Sequence, residues 1–416
     1  MTSRAELPKR KIVITGMGAI TPLGNSVDEL WQGLIAGKNG IGPITQFDAS
    51  SFPVKLAAEV RNFEPGDYMP LKRADRCGRC AQFAIAASRM ALESADLKIS
   101  PEQADRVGVI IGTNGMPNSL SRQEEVLNKR GPMRVDPLMI SKYGASMVAG
   151  HIGLELGAKG PNTSLNSACT SGSDAIGNAL NFLRLGYADV MITGGAATNV
   201  TTLGLAGAAR MGALSREPDP EKACRPFDLN RDGFTYGEGA GILILESLGH
   251  ALERNAPVLA ELAGAGWSFD AFNETAPDPQ QQAKAMQAAI RDAGITADDI
   301  DYVNAHGTST KLNDTAETEA IKIVCGERAY KIPVSSNKSM TGHLACAAGA
   351  VEAVAGVMTI WNEIIPPTIH YETPDPDCDL DYVPNKARHQ AVDVCLSNSF
   401  GLGGQNCSLI IRRQGE

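Results

Sequence analysis

The sequence lacks the features that mark membrane proteins and nucleic-acid-binding proteins. No apolar run reaches the ~18–20 residues that a membrane-spanning helix needs. Acidic residues outnumber basic ones by 47 to 38, and the net charge of −9 argues against a general nucleic-acid binder. The first residues, MTSRAELPKRKIVITG, carry Glu6 and Pro8 where a signal peptide would be apolar. These absences predict a cytoplasmic protein that neither spans a membrane nor binds nucleic acid.

Paired cysteine motifs are also scarce. The nine cysteines follow no repeating framework, which is typical of a reducing compartment. Cys77 and Cys80 form one CxxC, but no second CxxC and no histidine pair follow at zinc spacing, so no metal site is predicted. This pair lies in a helical pattern that continues through QFAIAASRMALESA, and we therefore expect both thiols to be packing residues.

Nucleotide-binding motifs are absent as well. GMGAITPLG (Gly16–Gly24) follows a strand-like run, but the dinucleotide fingerprint GxGxxG would need glycine at Thr21. GGAATN and GEGAG are interpreted as tight turns, because neither is followed by the Gly-Lys-Ser/Thr of a phosphate loop. No nucleotide cofactor is predicted.

What the sequence does contain is glycine (43 residues) and strand-like runs that alternate with Ala-rich amphipathic segments. The runs are KIVITG, RVGVIIG, VMITGG, GILILE, IDYVNAHG, IPVSS, CLSNSF and CSLIIRR. This alternation predicts an α/β protein with parallel strands between helices.

The same plan occurs twice along the chain. Met90–Gly115 and Ala288–Thr310 each contain an Ala-rich helix, an acidic turn, a buried strand and a Gly-Thr or Gly-containing end. Pro161–Leu180 and Ile332–Val354 each run from a strand through a small polar loop into an Ala/Gly-rich helix. The repeat predicts two duplicated halves, 10–258 and 259–413, with a site between them.

Cys169 lies at the junction of strand and helix in SLNSACTSGSDAIG (Ser164–Gly177). Free backbone N–H groups and the helix dipole favour a thiolate there, and we expect a thiol pKa below the usual ~8.5. The same N–H groups suit an oxyanion on a bound thioester. Considered alone, a buried structural cysteine is the commoner explanation.

Two histidines in the C-terminal half favour the functional explanation. His306 ends a strand in NAHGTST, and His343 precedes a small-residue helix in NKSMTGHLACAAGAVEA. Because the chain has only six histidines, two of them at equivalent strand-end loops indicate a shared site. Lys338 and Glu352 belong to the same loop–helix unit, and each alone is interpreted as ordinary surface charge.

Two further segments have both an ordinary and a functional interpretation. NSFGLGGQN (Asn398–Asn406) is either a flexible glycine-rich turn or a mobile gate beside an acyl site, with Phe400 as the gate. LKRADRCGR (Leu71–Arg79) is either a solvated helix face or a docking patch for an acidic partner. The cations of that patch are Lys72, Arg73, Arg76 and Arg79.

The motifs ACTSG, HGTST, KSMTGH and NSFGLGG, in this order, resemble those of the β-ketoacyl-[acyl-carrier-protein] synthases. The likeness is to the elongating synthase II type and to the related ketosynthase subunits of type II polyketide synthases. It extends from IVITGMGAITPLG to CSLIIRR and includes RPFDLNRDGFTYGEGAGILILE and DPDCDLDYVP. The resemblance implies the thiolase fold, in which two duplicated βαβαβαββ halves form five αβαβα layers, usually as a dimer.

The resemblance also implies a decarboxylative Claisen condensation. Cys169 would take an acyl chain from an acidic acyl carrier protein, and His306 and His343 would drive decarboxylation of the malonyl-carrier protein and stabilise the enolate. Attack on the acyl-cysteine would give a 3-oxoacyl-carrier protein and CO2. The resemblance further implies that Lys338 supports the histidines electrostatically and that Glu352 has a supporting position in that network. The backbone of Cys169 and Phe400 would form an oxyanion hole, and Thr308 and Thr310 would contact the phosphopantetheine. The implied gate consists of Phe400, Gly401, Leu402 and Gly403.

Several alternatives are separated by the same residues. His343 distinguishes the chain from initiating synthases with a Cys-His-Asn set, and FGLGGQN replaces the second cysteine of degradative thiolases. The retained Cys169 disfavours a catalytically silent partner subunit. No cofactor is implied beyond the phosphopantetheine of the carrier protein, and binding of a monovalent cation stays open.

Some positions depart from the family pattern. The gate has Leu402 where the family usually has Phe, and Gln405 where Thr or His is common. Gly115, followed by Met116, stands where many elongating enzymes place an apolar residue in the acyl pocket. The reduced bulk predicts a longer, unsaturated or rigid acyl chain. Thr310–Lys311 is closer to polyketide ketosynthases, so polyketide extension with a chain-length-factor partner is the alternative to fatty-acid elongation by a homodimer.

Overall fold

The computed structural model describes residues 10–115 and 117–415, without the side chains of 117–119. Its strands are β1 Ile12–Ile20, β2 Gly42–Pro43, β3 Leu56–Ala57, β4 Val107–Gly112, β5 Asn162–Leu165, β6 Val190–Thr198, β7 Glu238–Ser247, β8 Ala260–Phe269, β9 Tyr302–Asn304, β10 Val334–Ser335, β11 Ile364–Ile365, β12 Arg388–His389, β13 Val394–Phe400 and β14 Gln405–Arg412.

The α-helices are α1 Val27–Ile35, α2 Leu71–Ala74, α3 Arg79–Ser94, α4 Pro117–Arg130, α5 Met139–Tyr143, α6 Ser146–Leu156, α7 Ser171–Arg184, α8 Thr202–Met211, α9 Leu248–Glu253, α10 Pro279–Ala293, α11 Lys311–Cys325, α12 Lys338–Thr341 and α13 Ala348–Asn362. Short 3₁₀ turns span Pro65–Asp67, Ala104–Arg106, Pro132–Arg134, Ala168–Thr170, Ala297–Asp299, Gly326–Lys331 and Ala345–Ala347.

Ten strands form one sheet in the order β10-β9-β13-β14-β8-β1-β7-β6-β4-β5. From the centre outward, the sheet consists of two sets of five strands, β1-β7-β6-β4-β5 and β8-β14-β13-β9-β10. Both sets have the same topology: when the strands of a set are numbered along the chain, their order in the sheet is first, fifth, fourth, second and third. Among the described strands, a short antiparallel pairing of β1 with β8 joins the two sets within the sheet. The strand order confirms the predicted duplication.

The sheet is mixed, which corrects the expectation of parallel strands. Parallel pairs join β4 to β5 and β6, and β9 to β10 and β13, in the outer part of each half. The inner pairs, β6 with β7, β7 with β1, β13 with β14 and β14 with β8, are antiparallel. The carboxyl ends of the parallel strands meet at one edge in each half, and their loops build the site.

The helices form three layers around the two strand sets. Helices α3 and α6 cover the first set, α10 covers the second and packs against α11, and α7 and α13 pack between the sets and contact both. Apolar clusters fill each interface, with the largest around α7 and α13. This arrangement is the αβαβα layering of the thiolase fold.

The central helix α13 lies in an apolar stretch, Ala345–Asn362. Among the described residues, this is the one helix long and apolar enough to cross a membrane by length and composition. The sequence alone does not predict such a stretch because Glu352 interrupts the apolar run. In the protein, 78% of the stretch is buried, as expected for a helix that packs between two sheets.

Strand β8, AELAGAGWSF, is the long strand that the sequence analysis does not identify. Its alanines and glycines give no β-branched or apolar alternation. The glycines allow α10 to approach closely, because a Cβ on Gly266 would lie 2.2 Å from the backbone nitrogen of Ala289. Gly18 of β1 has the same role, since its Cβ would lie 1.9 Å from the carbonyl oxygen of Ala87 in α3.

Candidate active site

Cys169 lies in the 3₁₀ turn between β5 and α7, as the sequence predicts. The preceding Ala168 has a φ of 55°, and Asn166 Oδ1 accepts the N–H of Ala168 at 3.2 Å. The second half repeats this turn before α13: Ala345 has a φ of 48°, and His343 Nδ1 accepts the N–H of Ala345 at 3.2 Å. The duplicated backbone thus makes His343 equivalent to Asn166, and Cys169 equivalent to Cys346.

The thiol of Cys169 and the two predicted histidines come together. His343 Nε2 is 3.1 Å from Cys169 Sγ, and the His306 and His343 rings meet edge to face with centroids 5.4 Å apart. Because Nδ1 of His343 accepts a backbone N–H, its proton is on Nε2, which donates to the sulfur. The ligand atoms of all three side chains lie within 4.8 Å of one another. A soft metal ion would fit such a set of ligands. It would bind the ring nitrogen of His343 that faces the sulfur, and that nitrogen would then not donate a hydrogen bond to Cys169.

Burial and charge keep both histidines neutral. Burial lowers the pKa of His306 and of His343 well below 6.5, and the Lys338 charge lowers both further. The prediction of a lowered thiol pKa is wrong, because burial raises the pKa of Cys169. The backbone N–H of Leu402 and the Lys338 charge oppose that rise only in part. Stabilisation of the thiolate therefore depends on the groups around it rather than on the helix end alone.

Lys338 and Glu352 are not surface charges, which corrects that interpretation of each. Both side chains are buried and form an ion pair between Nζ and Oε1. Burial raises the pKa of Glu352, and the Lys338 charge opposes the rise. The pair sits beneath the histidines, where the Lys338 charge acts on both imidazoles.

Further residues that hold the histidines were not identified from the sequence. The Phe234 ring packs edge-on against His343 with centroids 5.0 Å apart. Glu317, buried on α11, accepts the backbone N–H groups of His306 and Gly307 at 2.8 and 2.7 Å. Burial raises the pKa of Glu317 to about 7. Glu317 is the seventh residue of α11, about two helical turns from its start in HGTSTKLNDTAE, and this position is the signal that the sequence offers.

The predicted gate closes one side of the site. Phe400 is buried at the end of β13, with its ring centroid 5.8 Å from that of His306. Gly403 and Gly404 have φ values of 99° and 90°, so the turn to β14 depends on glycine. Leu402 is half-exposed, and its backbone N–H faces the Cys169 thiol. The N–H groups at the sulfur are therefore those of Cys169 and Leu402, and the assignment of Phe400 to an oxyanion hole stays a prediction.

A cavity of about 660 Å³ opens onto the three side chains. Thr308 and Thr310 line it, with their hydroxyl oxygens 2.9 Å apart. Gly115 does not lie on its wall, because this residue, with a φ of 70°, packs against Ala145 so closely that a Cβ would be 3.0 Å from the backbone. Met116 lies outside the described residues.

The basic patch is smaller than predicted. Arg79 is paired with the buried Glu238 at 2.8 Å, and Arg73 is paired with Glu155 at 3.2 Å. These two guanidinium groups are held within the fold because their carboxylate partners are buried or nearly so. Lys72 and Arg76 are the exposed cations of the segment.

Comparison with known proteins accounts for this geometry. Residues 9–251 match the N-terminal domain of beta-ketoacyl synthases, and residues 259–372 match the C-terminal domain. The chain belongs to the β-ketoacyl synthase family.

Among curated relatives of this synthase, the 3-oxoacyl-[acyl-carrier-protein] synthase 2 of Synechocystis sp. is 48% identical over 98% of this chain and 99% of its own. Among solved structures, the ishigamide ketosynthase/chain length factor aligns with a TM-score of 0.91 at 38% identity, over 98% of this chain and all of that chain. A second solved structure is a type II PKS acyl-carrier protein in complex with its ketosynthase bound to the hexaketide. It aligns with a TM-score of 0.89 at 34% identity, over 98% of this chain and all of that chain.

Proposed function

We propose that this β-ketoacyl synthase condenses an acyl-enzyme thioester with malonyl-[acyl-carrier protein], giving 3-oxoacyl-[acyl-carrier protein] and CO2. The observation that carries the proposal is the placement of Cys169 Sγ 3.1 Å from His343 Nε2, with His306 beside it, on the wall of one cavity. A nucleophile and two neutral imidazoles are the groups that this chemistry needs.

The first step is transfer of the acyl group to Cys169. The Cys169 sulfur loses its proton and attacks the thioester carbon of the acyl-carrier protein, and a new S–C bond forms. The bond to the carrier sulfur breaks, and the departing carrier thiolate takes up the proton that the Cys169 thiol lost. The Nε2–H of His343 and the backbone N–H of Leu402 stabilise negative charge at the sulfur and at the carbonyl oxygen that forms.

The second step uses the histidines as hydrogen-bond donors. The malonyl group loses CO2, and the resulting enolate oxygen faces the imidazole N–H groups of His306 and His343. The carbanion attacks the acyl carbon, a C–C bond forms, and the bond to Cys169 breaks to restore the thiolate. The buried Lys338–Glu352 pair keeps both imidazoles neutral by holding a positive charge beside them.

The substrates arrive on a carrier protein, and no other cofactor is needed. Thr308 and Thr310 line the cavity, and their hydroxyl groups suit the amides of a phosphopantetheine arm. Arg73 and Arg79 form ion pairs within the fold. Lys72 and Arg76 are exposed, and we expect them to contact an acidic carrier protein. The nine cysteines are free, which supports a reducing, cytoplasmic location.

Fatty-acid elongation is the main proposal, because relatives named 3-oxoacyl-[acyl-carrier-protein] synthase 2 are 45% to 48% identical to the chain over nearly its whole length. Polyketide extension is the second candidate, favoured by the ketosynthases among its structural neighbours, one of them a ketosynthase/chain length factor. The chain would act as a homodimer in the first case and beside a chain-length-factor subunit in the second. We propose 10–258 and 259–413 as its two halves.

The test is intact-mass spectrometry of carrier proteins after the purified chain is mixed with acyl- and malonyl-carrier protein, without a reductase. One condensation supports elongation that awaits reduction, and several successive condensations support an iterative polyketide maker. Acylated Cys169 without condensation indicates a missing subunit. An unmodified Cys169 with unchanged carrier proteins would contradict the proposal.

A further inference from the structure

A carboxylate in the first turn of α7, Asp174, holds the 3₁₀ turn that carries Cys169. Its Oδ2 accepts the hydroxyl of Ser167, which precedes the turn, and lies 3.0 Å from the hydroxyl oxygen of Thr170, which ends it. Ser167 and Thr170 lie on either side of Cys169 in the chain. One carboxylate oxygen therefore ties both ends of the turn to the helix that follows.

The other oxygen of this carboxylate connects the turn to the second half of the chain. Asp174 Oδ1 accepts the indole N–H of Trp267, on β8, at 2.9 Å. The indole lies against α7 at Gly177, where a Cβ would be 2.5 Å from a ring carbon of Trp267. Glycine at this position therefore leaves the room that the indole needs to reach Asp174. We call Ser167, Asp174 and Trp267 the polar clamp.

The backbone of the turn needs support of this kind. Ala168 has a φ of 55°, a left-handed conformation that is unfavourable for a residue other than glycine and persists only where neighbouring contacts hold it. The next residue is Cys169, so the conformation of Ala168 directs the sulfur towards His343 Nε2, which is 3.1 Å away. Relaxation of the turn would move the sulfur away from the imidazole N–H.

The duplicated turn of the second half provides an internal comparison. Its left-handed alanine is Ala345, with a φ of 48°, and it also begins a three-residue 3₁₀ turn that leads into a central helix. When the two left-handed alanines are aligned, Leu344 corresponds to Ser167. Val351, likewise buried and apolar, corresponds to Asp174. The second half therefore forms the same turn with apolar contacts in place of the polar clamp.

This comparison shows that the fold does not require a clamp to make the turn. The clamp is found in the half whose turn carries the proposed nucleophile. Neither Asp174 nor Trp267 lines the cavity, so both act through the turn and not on the substrate. We propose that Asp174 and Trp267 are positioning residues that hold the Cys169 sulfur in place for acyl transfer. This inference rests on the proposed acyl transfer to Cys169 and adds the residues that hold its nucleophile.

The test follows acylation of Cys169 by intact mass over a range of acyl-carrier protein concentrations. Asp174→Val, which copies the second half, should lower the saturated rate about 10-fold or more, because a displaced nucleophile reacts more slowly. The carrier-protein concentration that gives half of that rate should not change, because the clamp lies outside the cavity. Asp174→Asn should recover most of the rate, since its amide oxygen can accept the indole N–H and its amide N–H can donate to the Ser167 hydroxyl.

A pH profile separates positioning from a general loss of stability. All nine cysteines lie in the described part of the chain, and Cys169 is the one that is not fully buried. Its thiolate can therefore be alkylated by iodoacetamide without a carrier protein. If Asp174→Val moves the sulfur away from the imidazole N–H, the thiolate loses that stabilisation, the pKa of the Cys169 thiol rises, and the alkylation profile shifts to higher pH. In a folded variant, a purely structural role would leave the profile unmoved.

The indole N–H is tested by Trp267→Phe, which keeps an aromatic ring and removes the donor. We expect the saturated acylation rate to fall on the order of 3-fold or more. In the Asp174→Val background the same change should have little further effect, because the hydrogen bond is already lost. The matched control is Trp361→Phe: Trp361 donates its indole N–H to the carbonyl of Leu259 near the end of α13, and its loss should keep the wild-type rate.

The outcomes separate this inference from the proposed function. Thermal unfolding shows whether each variant folds, and Trp267→Phe is measured in the same two ways if Asp174→Val does not. An alkylation profile that does not move in a folded variant would overturn the positioning, whatever its acylation rate. If Asp174→Asn were as slow as Asp174→Val, the hydrogen bonds of the clamp would not be the cause, and the inference would also be wrong. Absence of acylation in the wild-type enzyme would overturn the proposed function itself.

Discussion

The two halves of the chain build the same turn and use it for different chemistry. In the first half, Asn166 accepts the N–H of Ala168 and Cys169 follows. In the second half, His343 accepts the N–H of Ala345 in the same way, at the same 3.2 Å, and Cys346 follows. The proposed nucleophile, Cys169, and the proposed hydrogen-bond donor, His343, are thus supplied by different positions of one duplicated turn.

The corresponding cysteines show how environment decides reactivity. Cys169 is partly exposed to the cavity and has His343 at its sulfur. Cys346 is 2% exposed, and burial raises the pKa of its thiol to about 11. Both thiols begin a central helix, so the helix end does not by itself make a nucleophile. What differs is access to the cavity and a neighbouring imidazole N–H.

The largest expected effect comes from replacing each of these two cysteines by alanine in turn. Cys169→Ala removes the atom that carries the acyl group and should abolish acylation of the enzyme and condensation. Cys346→Ala, its matched control, should keep both, because that thiol carries no acyl group. Intact mass of each variant after incubation with acyl-carrier protein gives the answer.

Either of two results would refute this division of roles. Acylated Cys169→Ala protein would place the nucleophile elsewhere, and complete loss of acylation in a folded Cys346→Ala variant would give the second thiol an essential role. Thermal unfolding of both variants shows whether a loss reflects chemistry or folding.

The halves also differ by an insertion. In the first half, β5 ends at Leu165, directly before Asn166. In the second, Ser336–Gly342 separates the end of β10 from His343 and carries the buried Lys338. The extra segment adds a positive charge beneath the histidines that the first half does not have at the equivalent place.

Lys338→Met should therefore change the pH dependence of condensation. The pKa of His306 and of His343 is held well below 6.5 by burial and then by Lys338, so the neutral imidazoles are lost only as pH falls through those lowered values. Without the charge both pKa values rise, and the acidic limb of the rate profile moves to higher pH. We also expect the overall rate to fall about 10-fold or more.

The measurement is the condensation rate from neutral pH down to well below 6.5, for this variant and for Lys331→Met, which removes an exposed lysine nearby in the chain. The control should keep the wild-type profile. A uniform loss of rate with an unmoved acidic limb in Lys338→Met would argue against electrostatic control of the histidines.

The sequence allowed much of the site to be predicted, because its motifs are local. Cys169, His306 and His343 each stand in a short segment at a strand end, where the chemistry of neighbouring residues is informative. Lys338 and Glu352 were interpreted as surface charges when taken alone, because burial and pairing depend on packing that one segment does not reveal.

Other features depend on contacts between distant segments. The side chains of Asn114 and Asn199 form a hydrogen bond because β4 and β6 lie next to each other, although their loops are far apart in the chain. The pKa of Cys169 was predicted in the wrong direction because the helix end is visible in the sequence and the depth of burial is not. Strand β8 was missed because its close packing requires small residues that give no strand pattern.

The smallest expected effect tests whether the two halves pack their outer helices, α3 and α10, against the sheet in the same way. Gly18→Ala in β1 and Gly266→Ala in β8 would each place a Cβ about 2 Å from the backbone of α3 or α10. Overpacking of this kind should lower the free energy of unfolding by roughly 1–3 kcal/mol in each half. Gly207→Ala is the control, because its Cβ would meet no atom within 4 Å, and a helical alanine there should stabilise by ~0.5–1 kcal/mol. Similar falls in the thermal midpoint for Gly18→Ala and Gly266→Ala would mean that both halves hold their outer helix by the same backbone contact. Tolerance in one half only would mean that the duplicated helices have diverged in how tightly they pack.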